Sequence, residues 1–518
     1  MSKCHTIWAL VVFVLALSTA WGQDSSAQQP AGATPDNSSQ QPIPAFGPDN
    51  PAPPNSENPP ISGLDMPNLE PHAAPLSYLQ AGAHVSESLD SNLQNELGGS
   101  GVHTVSRAMG SLELQRLWSN YDLALDYLGG VGYYDVTGLG LKQIEELGLV
   151  QKITWKRGQL GLRDAFSYQP EGTFGSAYGA VGATGAGLAG SSTFAGGSGL
   201  GALGQVPRIM NLSLVDLVEY LTPKSSITAT GGYGFVHFLG NDPGTGSSFI
   251  GNSQVSAQVG YNRVLGPHDQ GALVYGYQGF DFSSGIAFHS HVIQLMWGHR
   301  ISGRMDFLIG AGPQFTQIDG LPTVVPSTSQ NLNNPLCLVG ITSQGPQVEC
   351  PENDFRISTA GRASLRYRFP KVSLDLSYDH YLTSGSGFFA GAESDIVHLA
   401  ANRPLGRAWS AFSDIGYSRN SRVSSLTVQE LAACTVSSTN PNPPPCPGTL
   451  ANTYEFGYAG VGVRRKFGRN FQAYASYQFN DLAFDNSYCG TSGSCSRISQ
   501  RHIGTIGLDW TPRPIRLD

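Results

Sequence analysis

The chain has 518 residues, a formal net charge of -8, and only 13% Asp, Glu, Lys and Arg. An acidic balance excludes a nucleic-acid partner, which needs a basic footprint. Charge well below the usual quarter of residues, with 64 glycines, fits strands that turn one side to lipid rather than an ordinary soluble domain.

In chain order, Lys3 gives a positive start and Ile7–Leu17 forms an apolar stretch. Ala20-Trp21-Gly22 then offers small residues for cleavage, so residues 1–22 are predicted to be a secretory signal peptide with Gln23 as the mature start. The apolar stretch is too short for a helix crossing ~30 Å of hydrocarbon. Cys4 precedes it, which gives no support to lipoprotein acylation. The rest of the sequence has no apolar run long enough for a spanning helix, so any crossing is made by strands. Residues 23–75 are rich in Pro, Ser, Asn, Gln and Ala and poor in branched apolar side chains. They predict a disordered, Pro-rich periplasmic tether that serves as a plain linker rather than a partner-binding segment, with no room for a folded plug domain.

From residue 76 onward, segments alternate apolar and polar at period two. Strands are predicted at 76–88, 104–118, 121–134, 148–157, 159–169, 209–221, 225–239, 250–264, 270–282, 286–300, 304–317, 354–369, 371–384, 392–403, 407–421, 452–466, 470–485 and 498–511. Residues Leu139–Leu149 also allow a short helical turn. The clearest hairpin joins 354–369 to 371–383. Phe355, Ile357, Ala363, Leu365, Tyr367 and Phe369 share one face of its first strand, and Arg356, Arg362, Arg366 and Arg368 share the other. In the second strand Val372, Leu374, Leu376 and Tyr378 oppose Ser373, Asp375, Ser377 and Asp379. Connections alternate between short turns, such as Lys156-Arg157-Gly158 and Phe369-Pro370-Lys371, and long loops near 170–208, 318–353 and 422–451. Greek-key connections or repeats of about forty residues would mark a sandwich or a propeller, and neither pattern is found. The fold class is all-β: a transmembrane antiparallel up-and-down β-barrel over 76–518, with about 18 strands in a range of 16–20.

With this rhythm the chain resembles bacterial outer-membrane β-barrels of the porin kind, in architecture rather than in a specific motif. The final segment, His502-Ile503-Gly504-Thr505-Ile506-Gly507-Leu508-Asp509-Trp510, resembles their assembly signal, although Thr511–Asp518 continue past the aromatic residue where such chains usually stop. The resemblance implies a place in the bacterial outer membrane among its lipids, and recognition by the barrel-assembly machinery. It also implies passive passage of small hydrophilic solutes, and it allows a homotrimer.

The mature cysteines fall in three close pairs, Cys337 with Cys350, Cys434 with Cys446, and Cys489 with Cys495, each within one predicted extracellular loop. Clustering favours three local disulfides in an oxidising compartment. Metal binding is disfavoured because no loop supplies four ligands at zinc spacing. His289 and His291 share a face, but that face continues into Ile293, Leu295 and Trp297, so they are read as headgroup-level side chains and no metal is assigned.

The row Arg356, Arg362, Arg366 and Arg368, facing Asp375 and Asp379 across the turn, is the candidate pore lining. Opposed charged rows in water would orient polar solutes; the plain alternative is a set of structural ion pairs. The glycine-rich stretch Gly172–Gly204 lacks a Gly-Lys-Ser/Thr signature and reads as an extracellular loop able to fold inward as a constriction. Gly231-Gly232-Tyr233-Gly234 lies within a strand and is no ion filter. A barrel hydrolase would need Asp379, His380, Ser384 or Ser386 to converge at the rim, and no spacing forces that. The expectation is therefore a non-enzymatic, cofactor-free, porin-like channel. The rival is a closed or adhesive surface barrel that binds a partner through its cystine-stapled loops.

Overall fold

The computed structural model describes residues 60–62, 77–93, 97–99, 101–136, 140–170, 207–240, 250–325, 338–342, 345–369, 372–385, 389–423, 451–486 and 496–517. All belong to one compact unit, Pro42–Asp518. The signal peptide, the Gly172–Gly204 loop and most of the 23–75 tether lie outside the described residues.

The strands in chain order are β1 (Tyr78–Asp90), β2 (His103–Leu117), β3 (Tyr121–Tyr134), β4 (Gly140–Trp155), β5 (Gly158–Gln169), β6 (Arg208–Thr222), β7 (Ser225–Phe238), β8 (Asn252–Val264), β9 (Asp269–Phe282) and β10 (Ala287–Ser302). They continue as β11 (Met305–Val325), β12 (Leu338–Thr342), β13 (Gly345–Phe369), β14 (Val372–Thr383), β15 (Ala392–Pro404), β16 (Trp409–Arg422), β17 (Thr453–Phe467), β18 (Phe471–Phe484), β19 (Ile498–Trp510) and β20 (Ile515–Arg516). Eighteen of them form a closed antiparallel barrel. Each pairs with its sequence neighbours, and β1 closes the ring on β19, from Ala83 opposite Trp510 to Asp90 opposite Ile503. Closure satisfies every strand edge inside the ring, which a membrane-spanning sheet requires. β12 pairs only with β13, beyond the ring, and β20 adds a short pairing at Tyr78 and Leu79.

Outward rows are apolar. Leu273, Ile293 and Leu295 on β9 and β10 are exposed, Leu295 at 70%, as are Val255 and Val259 on β8. In water such a band would carry a large penalty; in hydrocarbon it is the favoured surface. Trp118, Trp155, Trp297, Trp409 and Trp510 are all exposed near the short-turn end of their strands and form a belt there. Several carry a polar tether at that level: the Trp155 indole N–H donates to Glu219 at 2.8 Å, and Trp297 donates to Asp269 at 3.1 Å. An apolar band with an aromatic girdle places the barrel in the outer membrane.

Two expectations change. β4 begins at Gly140 rather than 148, which removes the helical alternative for its first half. Its pattern is hard to read because Glu145 stands on the outer face. There it accepts hydrogen bonds from Tyr127 Oη at 2.6 Å and Gln143 Nε2 at 2.5 Å. The long connection near 318–353 is also not all loop, since β11 and β13 run on past Ile318 as a paired ribbon and β12 joins them.

Candidate functional site

The lumen has two chemically different walls. On β7–β10 the inward residues from Ser226 to Gly298 include no Asp, Glu, Lys or Arg. Thr228, Gln254, Ser256, Gln258, Asn262, Gln278 and Gln294 are all buried there. The opposite chemistry lies on β11–β16. Arg366 donates to Asp306 through Nε at 2.9 Å and Nη2 at 2.7 Å, a bidentate pair across β11 and β13. His398 Nε2 and the Asp414 carboxylate stand 2.9 Å apart on β15 and β16.

The sequence-predicted row lies on the inward side, as the alternation requires. Register sets Arg362 opposite Asp379 and Arg366 opposite Asp375. Arg362 is only 5% exposed and Asp379 6%, whereas Arg356 is exposed. Part of the row is therefore packed into the wall, and its open charge is concentrated at Arg356 and around the Arg366–Asp306 pair.

The hydrolase candidates do not converge. Asp379 points inward, while His380 sits on the outer face with Tyr378. Its Nδ1 is 2.8 Å from Asp395 and its Nε2 is 3.2 Å from Glu393. Neighbours on a strand face opposite ways, so these two groups cannot share a substrate. Ser386 lies outside the described residues. His289 and His291 each engage a tyrosine on the outer face, through Nδ1 to Tyr277 at 2.9 Å and to Tyr275 at 2.8 Å. Of the cysteines, only the backbone of Cys350 falls among the described residues, in β13 opposite Thr323; the three predicted bridges lie outside them.

Two features were missing from the sequence reading. The first is an apolar collar at the long-loop end. Inward side chains of β17 and β18, Tyr454, Phe456, Tyr458, Leu482 and Phe484, cluster with Phe389 from the β14–β15 connection. The Phe389 and Tyr454 rings are 5.2 Å apart, and the Arg422 guanidinium lies 4.6 Å from the Phe389 ring. A second cluster joins Ala390 to Phe280, Phe282, Phe288 and Ile318. The short β14–β15 connection therefore turns into the mouth and touches both clusters. It is the described inward-folding loop, a role the sequence suggested for Gly172–Gly204. Its signal was Phe388-Phe389 in an otherwise small-residue loop.

The second feature lies at the short-turn end. Pro60, Ile61 and Ser62 are buried inside the barrel against β7–β11, so the tether reading does not extend to them. The Ser62 N–H donates to Asn262 Oδ1 at 3.0 Å, and its carbonyl accepts from Gln258 Nε2 at 2.8 Å. Its hydroxyl lies 2.6 Å from Thr228 Oγ1 and accepts from Asn262 Nδ2 at 2.6 Å. Ile61 packs with Ala272, Val274, Val292, Met296, Leu308 and Ala360.

No protein-family model matches the chain, and no curated protein matches it. Among solved structures it is similar to the unliganded ferric citrate transporter FecA, at 11% identity and TM-score 0.41, over 85% of this chain and 64% of that one. It is also similar to Pseudomonas aeruginosa OccK2 (OpdF), at 8% identity and TM-score 0.37, over 84% of this chain and 98% of the other. A third is Acinetobacter baumannii OccAB2, at 8% identity and TM-score 0.38, over 85% and 98%. The chain thus spans under two thirds of the first of these and nearly all of the other two. Its own geometry is that of a closed antiparallel β-barrel of eighteen strands with an apolar outer band.

Proposed function

We propose that this protein is a porin-like channel for passive diffusion of small hydrophilic solutes across the outer membrane. The observation that carries the reading is a closed ring of eighteen strands whose outward rows are apolar and whose inward rows carry buried amides, hydroxyls and charges beside the apolar clusters near their two ends. Barrels of about 16–18 strands hold an aqueous lumen unless something fills them. The Arg356–Arg368 row with Asp375 and Asp379 supplies fixed charge for selecting solutes. Insertion by the barrel-assembly machinery, local disulfides in the long loops and a trimeric assembly belong to the same proposal.

The test is conductance of the purified protein in planar bilayers. Discrete steps that scale with salt concentration are expected, and their absence at every voltage would overturn the reading. One observation favours a second reading, a closed surface barrel: the aromatic collar at the long-loop mouth. Loop-dependent binding of a surface partner by a non-conducting barrel would support it.

A further inference from the structure

We propose that Pro60-Ile61-Ser62 is a built-in stopper, seated in the lumen by a wall shaped to receive it. The inference rests on reading the barrel as a channel and adds how that channel is held narrow. Ser62 is 0% exposed, and its N–H, carbonyl and hydroxyl are all met by side chains of β7 and β8. A peptide group lying loosely in a wet lumen would keep water on some of those atoms; full replacement marks a fitted site. Ile61 adds an apolar anchor beside it.

The wall is relieved to admit the segment. Gly260 occupies the inward row of β8 between Gln258 and Asn262, and a Cβ there would stand 2.2 Å from Ser62 Oγ, 2.7 Å from Ser62 Cβ and 2.8 Å from Thr228 Oγ1, the wall hydroxyl that itself meets Ser62. Glycine inside a strand weakens it and commonly marks the close approach of another backbone. Gly298 plays a lesser part, where a Cβ would meet Ile61 Cγ2 at 3.3 Å.

Topology gives the segment its reach. Ser77 lies beside the start of β1, whereas Ile61 packs on β9, β10, β11 and β13, the strands facing β1 across the ring. Ile61 and Ser77 thus sit on opposite walls of one lumen. Because the segment is covalently joined to β1, its effective concentration is on the order of mM, so modest affinity keeps the site filled. Displacement by a solute or by tension on the preceding chain would widen the pore without unfolding the barrel.

The test uses the full chain, folded in detergent and then in planar bilayers, with heat-modifiable gel mobility as the check on folding. Ser62→Cys is treated with a maleimide and labelling at position 62 is mapped by peptide mass. Slow labelling is expected with Gly260 present, and fast labelling when Gly260→Val is added. Equal, fast labelling in both would overturn the seating. In bilayers, Gly260→Val acts from the wall, and Ile61→Asp acts from the segment without touching any strand. Both should shift the step histogram to larger conductance. A protected thiol with unchanged steps in both variants would overturn the stopper and leave the channel standing. Absence of steps in every variant would overturn the channel reading and the stopper with it.

Discussion

The wall of β7–β10 and the wall of β11–β16 are made by the same strand pattern and face the same lumen, yet they are filled differently. The first is neutral, and three of its polar side chains, Thr228, Gln258 and Asn262, bond a piece of the protein's own chain. The second carries formal charges and settles them against one another, as in Arg366 with Asp306. Desolvation explains the division. An amide facing a peptide exchanges hydrogen bonds with little loss, whereas a charge taken out of water needs an opposite charge at good geometry. The segment places its polar atoms on the neutral wall and meets β11 and β13 only through Ile61, at Leu308 and Ala360, where it strands no carboxylate or guanidinium group.

The largest expected effect extends the contrast to a third place in the ring, the buried charge pair at the seam between β1 and β19. Arg501 donates to Asp90 Oδ2 through Nε at 2.8 Å and Nη2 at 2.5 Å, with both side chains almost wholly buried at 5% and 2% exposure. Asp90→Ala leaves a buried guanidinium without its carboxylate, and a loss of about 3–5 kcal/mol is expected. Urea unfolding in detergent micelles reads it. Replacing both partners by apolar residues should restore most of the loss. Gln294→Leu on the neutral wall should sit near zero, because its carbonyl oxygen has no partner among the described residues. Equal losses for Asp90→Ala and Gln294→Leu would break the distinction between charged and neutral lining.

A smaller effect sharpens the boundary between lumen and lipid. Leu295→Arg places a charge on the outer face, at about 2–4 kcal/mol near the midplane, and should impair insertion as read by heat-modifiable mobility. Gln294→Arg, one residue away and inward, should insert. The reverse outcome would invert the assignment of faces.

The outer face was the legible half of this molecule. Lipid imposes one requirement on every strand, so Phe355 through Tyr367, or Val255 through Tyr261, announce themselves by alternation alone. Eighteen strands are recovered with ends within a few residues of those observed, except at β4, where Glu145 stands on the outer face bonded to Tyr127 and Gln143, and at β11 and β13, which run on as a paired ribbon beyond the predicted ends. The inner face obeys no single rule. Arg362 and Arg356 share a row, yet one is packed and the other open: Arg362 stands opposite Asp379 on β14, whereas Arg356 lies beyond the end of the β13–β14 pairing. Ile61 was invisible within a Pro-rich stretch whose average composition signals disorder. Its site did leave a trace, since Gly260 interrupts an inward row that otherwise reads Gln254, Ser256, Gln258 and Asn262. A side chain there would meet both the seated Ser62 and Thr228 of the neighbouring strand, so the glycine leaves room where segment and wall come together.

The smallest expected effect concerns ion selectivity at the charged wall. The Arg366–Asp306 pair is part-buried, with side-chain exposures of 13% and 18%, so each charge is still felt in the lumen. Arg366→Gln removes a positive charge and uncovers a carboxylate, so reversal potential in a salt gradient should move toward cations. Asp306→Asn should move it toward anions, and the double variant should return near the parent, since the pair contributes no net charge. The shifts should fade above about 1 M salt, where the screening length falls to ~3 Å. Non-additivity of the two single changes would measure their coupling directly. If both single variants moved selectivity in one direction, the permeating ions would be passing elsewhere. The charged wall would then be scaffolding, and the ions would pass along the neutral wall with its seated segment or along the remaining strands.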